Sequence, residues 1–170
     1  FQLQQMEIDH KVAGRIYIAS YRQGLYRSDD GGKNWVTLND ELRKIGGETF
    51  NFYRLVLNSA QKDSLFWISK YGILRSDNAG VNWNELKLLT PPGSASILAF
   101  DVNEKNPKEL YYTASQIGEK NVHIKSTFYK SSDGGITWET KKLPTNTLPV
   151  MIKINAKNDN TLLMGFTILN

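Results

Sequence analysis

Short apolar runs follow one another down the chain, each broken by Asn, Asp, Gly or Ser. Around the middle they are "FYRLVLN", "SLFWISK", "YGILRS" and "NWNELKLL", with the polar turn "SAQKD" after the first. Apolar runs of this length, alternating or continuous and bounded by turn formers, predict strands. No stretch carries a sustained helical period, so the unit is four strands, a to d in chain order. The pattern recurs as "LQQMEID", "RIYIAS", "GLYRS", "NWVTLN" before it and as "SILAFDVN", "LYYTAS", "TFYKS", "TWETKKL" after it. A last unit, "VMIKINA" and "TLLMGFT", has only its first two strands. The hydrophobic pattern therefore predicts an all-β chain of about fourteen strands. They fall into units at residues 1–40, 50–89 and 95–143 and a half unit at 149–170.

The junction from strand c to strand d is the same three times: "SDDGGKNW" at 28–35, "SDNAGVNW" at 76–83 and "SSDGGITW" at 131–138. The tryptophans are 48 and 55 residues apart, a spacing that signals a repeat architecture. Each residue type has a reason to be there. Asp30, Asn78 and Asp133 are expected to accept hydrogen bonds from backbone amides across the turn, and Ser28, Ser76 and Ser131 to add a second local bond. Gly32, Gly80 and Gly135 supply a backbone angle that other residues reach only with strain. Trp35, Trp83 and Trp138 are expected to open strand d and to drive a ring between neighbouring sheets.

Three octets of the form Ser-x-Asp-x-Gly-x-Thr-Trp, each after an aromatic strand, resemble the Asp-box, or BNR repeat. The resemblance covers nearly the whole chain and implies a β-propeller built of four-stranded antiparallel blades, about three and a half of them here. Sialidases, xyloglucanases, the ten-bladed domain of sortilin and the photosystem II assembly factors share this box. Short units ending in "GLYRSDDGGKNW" look most like the last group. Asn78 replaces the Asp of the pattern, and Asn34 and Asn82 stand where the third octet has Thr137; both swaps keep turn chemistry. A propeller closes with about four blades or more. The chain is therefore expected to be part of a longer protein, or to be completed by another chain.

In a propeller blade the a–b and c–d turns share one face, and the b–c and d–a connections share the other. The octets then lie away from the face that catalytic relatives use. Binding residues are expected in the b–c connections 20–24, 69–72 and 115–127 and in the d–a connections 39–51, 90–96 and 144–149. Tyr21–Arg22 and Lys70–Tyr71 occupy equivalent b–c positions and are expected to line a groove for acidic or sugar groups. The third b–c connection has 13 residues against 4 in the second, and its Lys120, His123 and Lys125 are further binding candidates.

Composition mostly removes alternatives. The net charge of +4 is scattered along the chain among mostly single Lys and Arg residues, which argues against nucleic-acid binding. The absence of cysteine excludes disulfides, thiol catalysis and thiolate metal sites. No apolar run reaches membrane-spanning length. The chain begins with Phe1, so a processed or trimmed N-terminus is expected.

Enzyme constellations fail. A sialidase-like site needs three converging arginines, and Arg22, Arg54 and Arg75 do not share strand positions. A xyloglucanase-like site needs two facing carboxylates. Asp9 and Asp101 fall toward the a–b face, while Glu41, Glu48 and Glu119 lie on the other face without a diagnostic context. His10 and His123 belong to opposite faces, so no metal pair is expected. The resulting expectation is a non-catalytic, extracytoplasmic binding or assembly scaffold without cofactor, metal or catalytic residue, whose partner is another protein, further blades or a glycan. The rival expectation is a piece of a carbohydrate-active propeller whose catalytic residues lie elsewhere.

Overall fold

A computed structural model describes residues 3–143, 147–155, 157–158 and 161–168. It divides the chain into two compact units, Phe1–Glu85 and Leu86–Asn170. Each unit is described by itself.

The first unit holds two antiparallel four-stranded meanders, each with its strands in chain order. One is β1 (Leu3–Ile8), β2 (Ile16–Ser20), β3 (Gly24–Ser28) and β4 (Val36–Thr37); the other is β5 (Phe52–Leu57), β6 (Leu65–Ser69), β7 (Ile73–Ser76) and β8 (Asn84–Glu85). The outer strands β4 and β8 have only two residues each, and the chain leaves β4 almost at once for the segment that begins at Asn39. Period-two alternation puts Tyr17, Ala19 and Leu25 of the first sheet against Leu55, Leu65, Trp67, Leu74 and Trp83 of the second, a core with almost no exposure.

The segment 39–51 departs from the sequence expectation. It is not an open loop: Asn39–Ile45 forms helix α1 and Gly47–Phe50 a 3-10 turn. Seven residues are under two turns and cannot show a repeated period. The end charges suit a helix, with Asp40 and Glu41 in the first turn and Arg43 and Lys44 in the last. Tertiary anchors hold it. Leu42 is fully buried in the core. Asn39 Oδ1 accepts from Leu25 N at 2.9 Å, and Trp67 Nε1 donates to Thr49 O at 2.8 Å.

The second unit holds one four-stranded meander of β9 (Ser96–Val102), β10 (Leu110–Ile117), β11 (His123–Ser131) and β12 (Glu139–Lys142), then the pair β13 (Leu148–Ile154) and β14 (Leu162–Thr167). Ala99 and Tyr111 of the first sheet pack on Ile152 and Ile154 of the pair. The connection 115–127 is corrected as well. Most of it is strand, because β10 and β11 pair out to Ile117 and His123, so Lys125 lies in β11. Of the expected d–a connection 144–149, residues 144–146 lie outside the described residues.

Candidate functional site

Two corners recur in every complete sheet. In the octets, the serine hydroxyl is the hub. Ser28, Ser76 and Ser131 are buried. Each accepts the amide of the glycine four residues on at 2.8–2.9 Å and donates to the side chain two residues on. Asp30 then accepts the amides of Lys33 and Asn34, both at 2.9 Å, and the Asn34 side chain at 2.7 Å. Asp133 accepts the amides of Ile136 and Thr137 and the Thr137 hydroxyl. Asn78 accepts the Asn82 amide at 2.8 Å. These donors favour the anion. The Asn34 amide, then its side chain, brings the Asp30 pKa down to about 2. The Thr137 hydroxyl and amide push Asp133 lower still. The glycine is required by its backbone angle: φ is +92°, +87° and +92° in the three octets. The tryptophan ring lies over it, 3.5–3.6 Å from where a Cβ would sit, an ordinary contact distance.

The second corner lies between strands a and b. Asp9, Asn58, Asn103 and Asn155 each accept, through the side-chain oxygen, the amide two residues on at 2.9–3.0 Å. Each also donates its own amide to the carbonyl six residues on, at 2.9–3.0 Å. The two corners are stitched together: Gly31, Ala79 and Gly134 donate to Gly14, Asp63 and Lys108, all at 2.8 Å. This face is occupied by turn chemistry, and its aspartates are acceptors already in use. Asp101 belongs to the same end, 4 % exposed, accepting from Ile154 N at 2.9 Å and Lys153 Nζ at 3.2 Å.

The opposite end of the first unit is organised by the helical segment. Arg22 N donates to Phe50 O and Lys70 N to Asn51 O, both at 2.9 Å. Two adjacent carbonyls thus pin both b–c turns, bringing Tyr21–Arg22 and Lys70–Tyr71 to one edge of the unit. The Arg22 guanidinium lies 5.2 Å from the Tyr21 ring centroid, and Arg43 lies 5.7 Å from that of Phe50. Among the described residues neither arginine is in an ion pair. Three glutamates at this edge are engaged. Glu41 bonds Lys44, Glu48 bonds Asn51 and Lys70, and Tyr71 donates to Glu85 at 2.8 Å. The Asn51 side chain, then Lys70, lowers the Glu48 pKa.

In the second unit, Lys120 sits at the tip of the β10–β11 hairpin and Lys125 in its second strand. His123 Nε2 lies 2.8 Å from Ser126 Oγ. No group of three or more His, Cys, Asp or Glu side chains suited to a metal exists among the described residues. No helix among them is long and apolar enough to cross a membrane.

The family model described as sortilin, neurotensin receptor 3 matches residues 23–165. The chain belongs to the Sortilin-Vps10 family. A curated relative, the vacuolar protein sorting/targeting protein 10 of Schizosaccharomyces pombe, is 26% identical over 157 residues. The match covers 82% of this chain and 10% of the yeast protein, so the chain spans about a tenth of that relative's length. Among solved structures, an ancestral GH74 enzyme superposes with a TM-score of 0.69 at 17% identity, covering 96% of this chain and 22% of the enzyme. The GH74 enzyme of Niastella koreensis gives 0.63 at 17% identity, covering 92% and 26%. At such identity the likeness shows the fold alone: β-propeller blades.

Two features of this Sortilin-Vps10 chain escaped the sequence reading. A cation precedes each octet serine. Arg27 and Arg75 bond Asp29 and Asp77 at 2.9 Å, whereas Lys130, with Ser132 in place of the acid, reaches Glu109 at 3.2 Å. Arg15 gathers Asp9, Asp29 and Asp63 between the two sheets of the first unit. The first could have been found by extending the repeat alignment one residue upstream; the second has no counterpart in the other repeats to align.

Proposed function

We propose that this chain is a segment of a non-catalytic Asp-box propeller that binds another protein as a sorting or assembly scaffold outside the cytoplasm. The observation that carries the reading is the edge built by α1 and the 3-10 turn. There, Arg22 and Arg43 lie over aromatic rings, outside any ion pair among the described residues, Arg22 on backbone pinned at 2.9 Å and Arg43 on helix α1. Arginines held by aromatic faces and left without counter-ions are prepared for an acidic or carbonyl-rich peptide at little ordering cost. Glu41, Glu48 and Glu85 are tied to Lys44, Lys70 and Tyr71 and are not paired with one another as hydrolysis of a glycoside requires. The name of the yeast relative, which refers to vacuolar sorting and targeting, is in keeping with this reading.

Panning a displayed peptide library on the immobilised protein tests it. Selected peptides should bind Tyr21→Ala/Arg22→Ala and Arg43→Ala roughly tenfold more weakly at unchanged melting temperature. Equal affinity for the variants, or release of reducing sugar from xyloglucan by the wild-type protein, would refute the reading.

A further inference from the structure

The β10–β11 hairpin is longer than its counterparts, with strands of eight and nine residues against five and five, and five and four. Its tip outruns its neighbours. Pairing with β9 ends at Ser115↔Ser96, and among the described residues pairing with β12 ends at Thr127↔Lys142. Beyond those points Gln116↔Lys125 and Ile117↔His123 pair only across the hairpin. Gly118 N closes the turn on Val122 O at 2.7 Å, and Lys120 takes a left-handed φ of 54°.

The projecting end is aliphatic. Val122 and Ile124 are each 61 % exposed, on a tip that a plain solvated turn would fill with polar residues. A Cβ on Gly118 would come within 3.1 Å of Ile124 Cδ1, so the glycine lets that side chain lie across the tip. Lys120 and Lys125 flank the aliphatic pair and are exposed, against the single acid Glu119.

We propose that this hairpin tip is a membrane-contact element that inserts Val122 and Ile124 into the interface of an anionic lipid surface. The tip is convex, projects from the sheet and carries no aromatic residue or arginine. Protein hot spots are rich in Trp, Tyr and Arg, and interface cores are poor in Lys. Branched aliphatics ringed by lysines fit the boundary between headgroups and acyl chains instead, where the ammonium groups stay among lipid phosphates. The contact is peripheral and independent of the arginine edge of the first unit.

Co-sedimentation of the protein with phosphatidylcholine vesicles containing about three-tenths phosphatidylserine measures it. Wild type should partition onto these vesicles and not onto pure phosphatidylcholine, with binding weakened by salt. Val122→Asp/Ile124→Asp should lose roughly tenfold or more of the partition coefficient, and Lys120→Glu/Lys125→Glu a comparable amount. Both should melt with wild type, because their side chains project from the sheet. Val122→Trp fluorescence should be quenched by lipids brominated on the acyl chain. Absence of wild-type partitioning, or partitioning untouched by the aspartates, overturns the proposal. So does a protein ligand that needs Val122 and Ile124 while vesicles are ignored.

Discussion

The first and third octets close the same turn with the same serine hub, yet their tryptophans do different things. Trp138 stands edge-on to Tyr112 at 4.8 Å and donates to Lys87 O at 2.9 Å, beyond its own turn. Trp35 donates to Gly32 O at 3.0 Å inside its own octet and stays 38 % exposed. Trp83, in the second octet, goes furthest in: it is 9 % exposed and belongs to the core of the first unit. The expectation of a ring driven between sheets therefore fails for Trp35 and suits Trp83. What the octet provides by itself is a lid over its glycine; how much packing the lid adds depends on what faces it.

The largest expected effect follows from that ranking. Trp83→Ala should cost about 3–5 kcal/mol of unfolding free energy, the scale for emptying a packed aromatic site. Trp35→Ala should cost about 1 kcal/mol, because much of the ring already meets water. Trp138→Ala should fall between them. Urea denaturation of the three variants gives the order directly, and equal losses at positions 35 and 83 would break the comparison.

The sequence made the strands legible because short apolar runs, alternating in some strands and continuous in β6 and β10, are bounded by turn formers, and each c–d turn announces itself with an octet. The a–b corner was half legible. Asp9, Asn58, Asn103 and Asn155 recur at the end of every strand a, but an isolated Asx residue carries little signal until the repeats are aligned on it. Helix α1 was illegible for a physical reason. Its stability comes from Leu42 in the core and from Asn39 and Thr49 bonded to the sheets, contacts that no local periodicity encodes. Of the edge that gathers Arg22, Arg43 and Lys70, the repeat alignment paired Arg22 with Lys70, but Arg43 and the segment that holds both turns were out of reach. The edge exists because Phe50 and Asn51 offer neighbouring carbonyls to two different turns.

Acid separates the octets in another way. Asp30 and Asp133 have depressed folded-state pKa values, so their contribution to stability is complete above the ordinary carboxylate pKa of 3.8 and is lost as pH falls through the folded values. For Asp30 that window runs from 3.8 down to about 2, and for Asp133 it extends lower. Asn78 is neutral and adds no such slope. Thermal melts between about pH 5 and pH 2 should show a smaller acid loss in Asp30→Asn/Asp133→Asn and a larger one in Asn78→Asp. An unchanged slope in both variants would mean that the turns do not sense their own carboxylates.

The smallest effect concerns the pair beside the octet. Asp77→Ser gives the second octet the residue that the third carries at Ser132, and removes the Arg75–Asp77 contact at 2.9 Å. Arg75 keeps Gln61 Oε1 at 3.1 Å and its place 6.0 Å from the Phe66 ring centroid, while Asp77 is 43% exposed. A pair so open to solvent is worth little, and the loss should stay under about 0.5 kcal/mol in urea. Arg27 differs, because it also donates to Ala79 O at 2.8 Å and so ties the first sheet of its unit to the second. Arg27→Gln should therefore cost more than Asp77→Ser. If the two variants unfold alike, the cation before the serine serves only its own turn, and the bond from Arg27 to the second sheet adds nothing to stability.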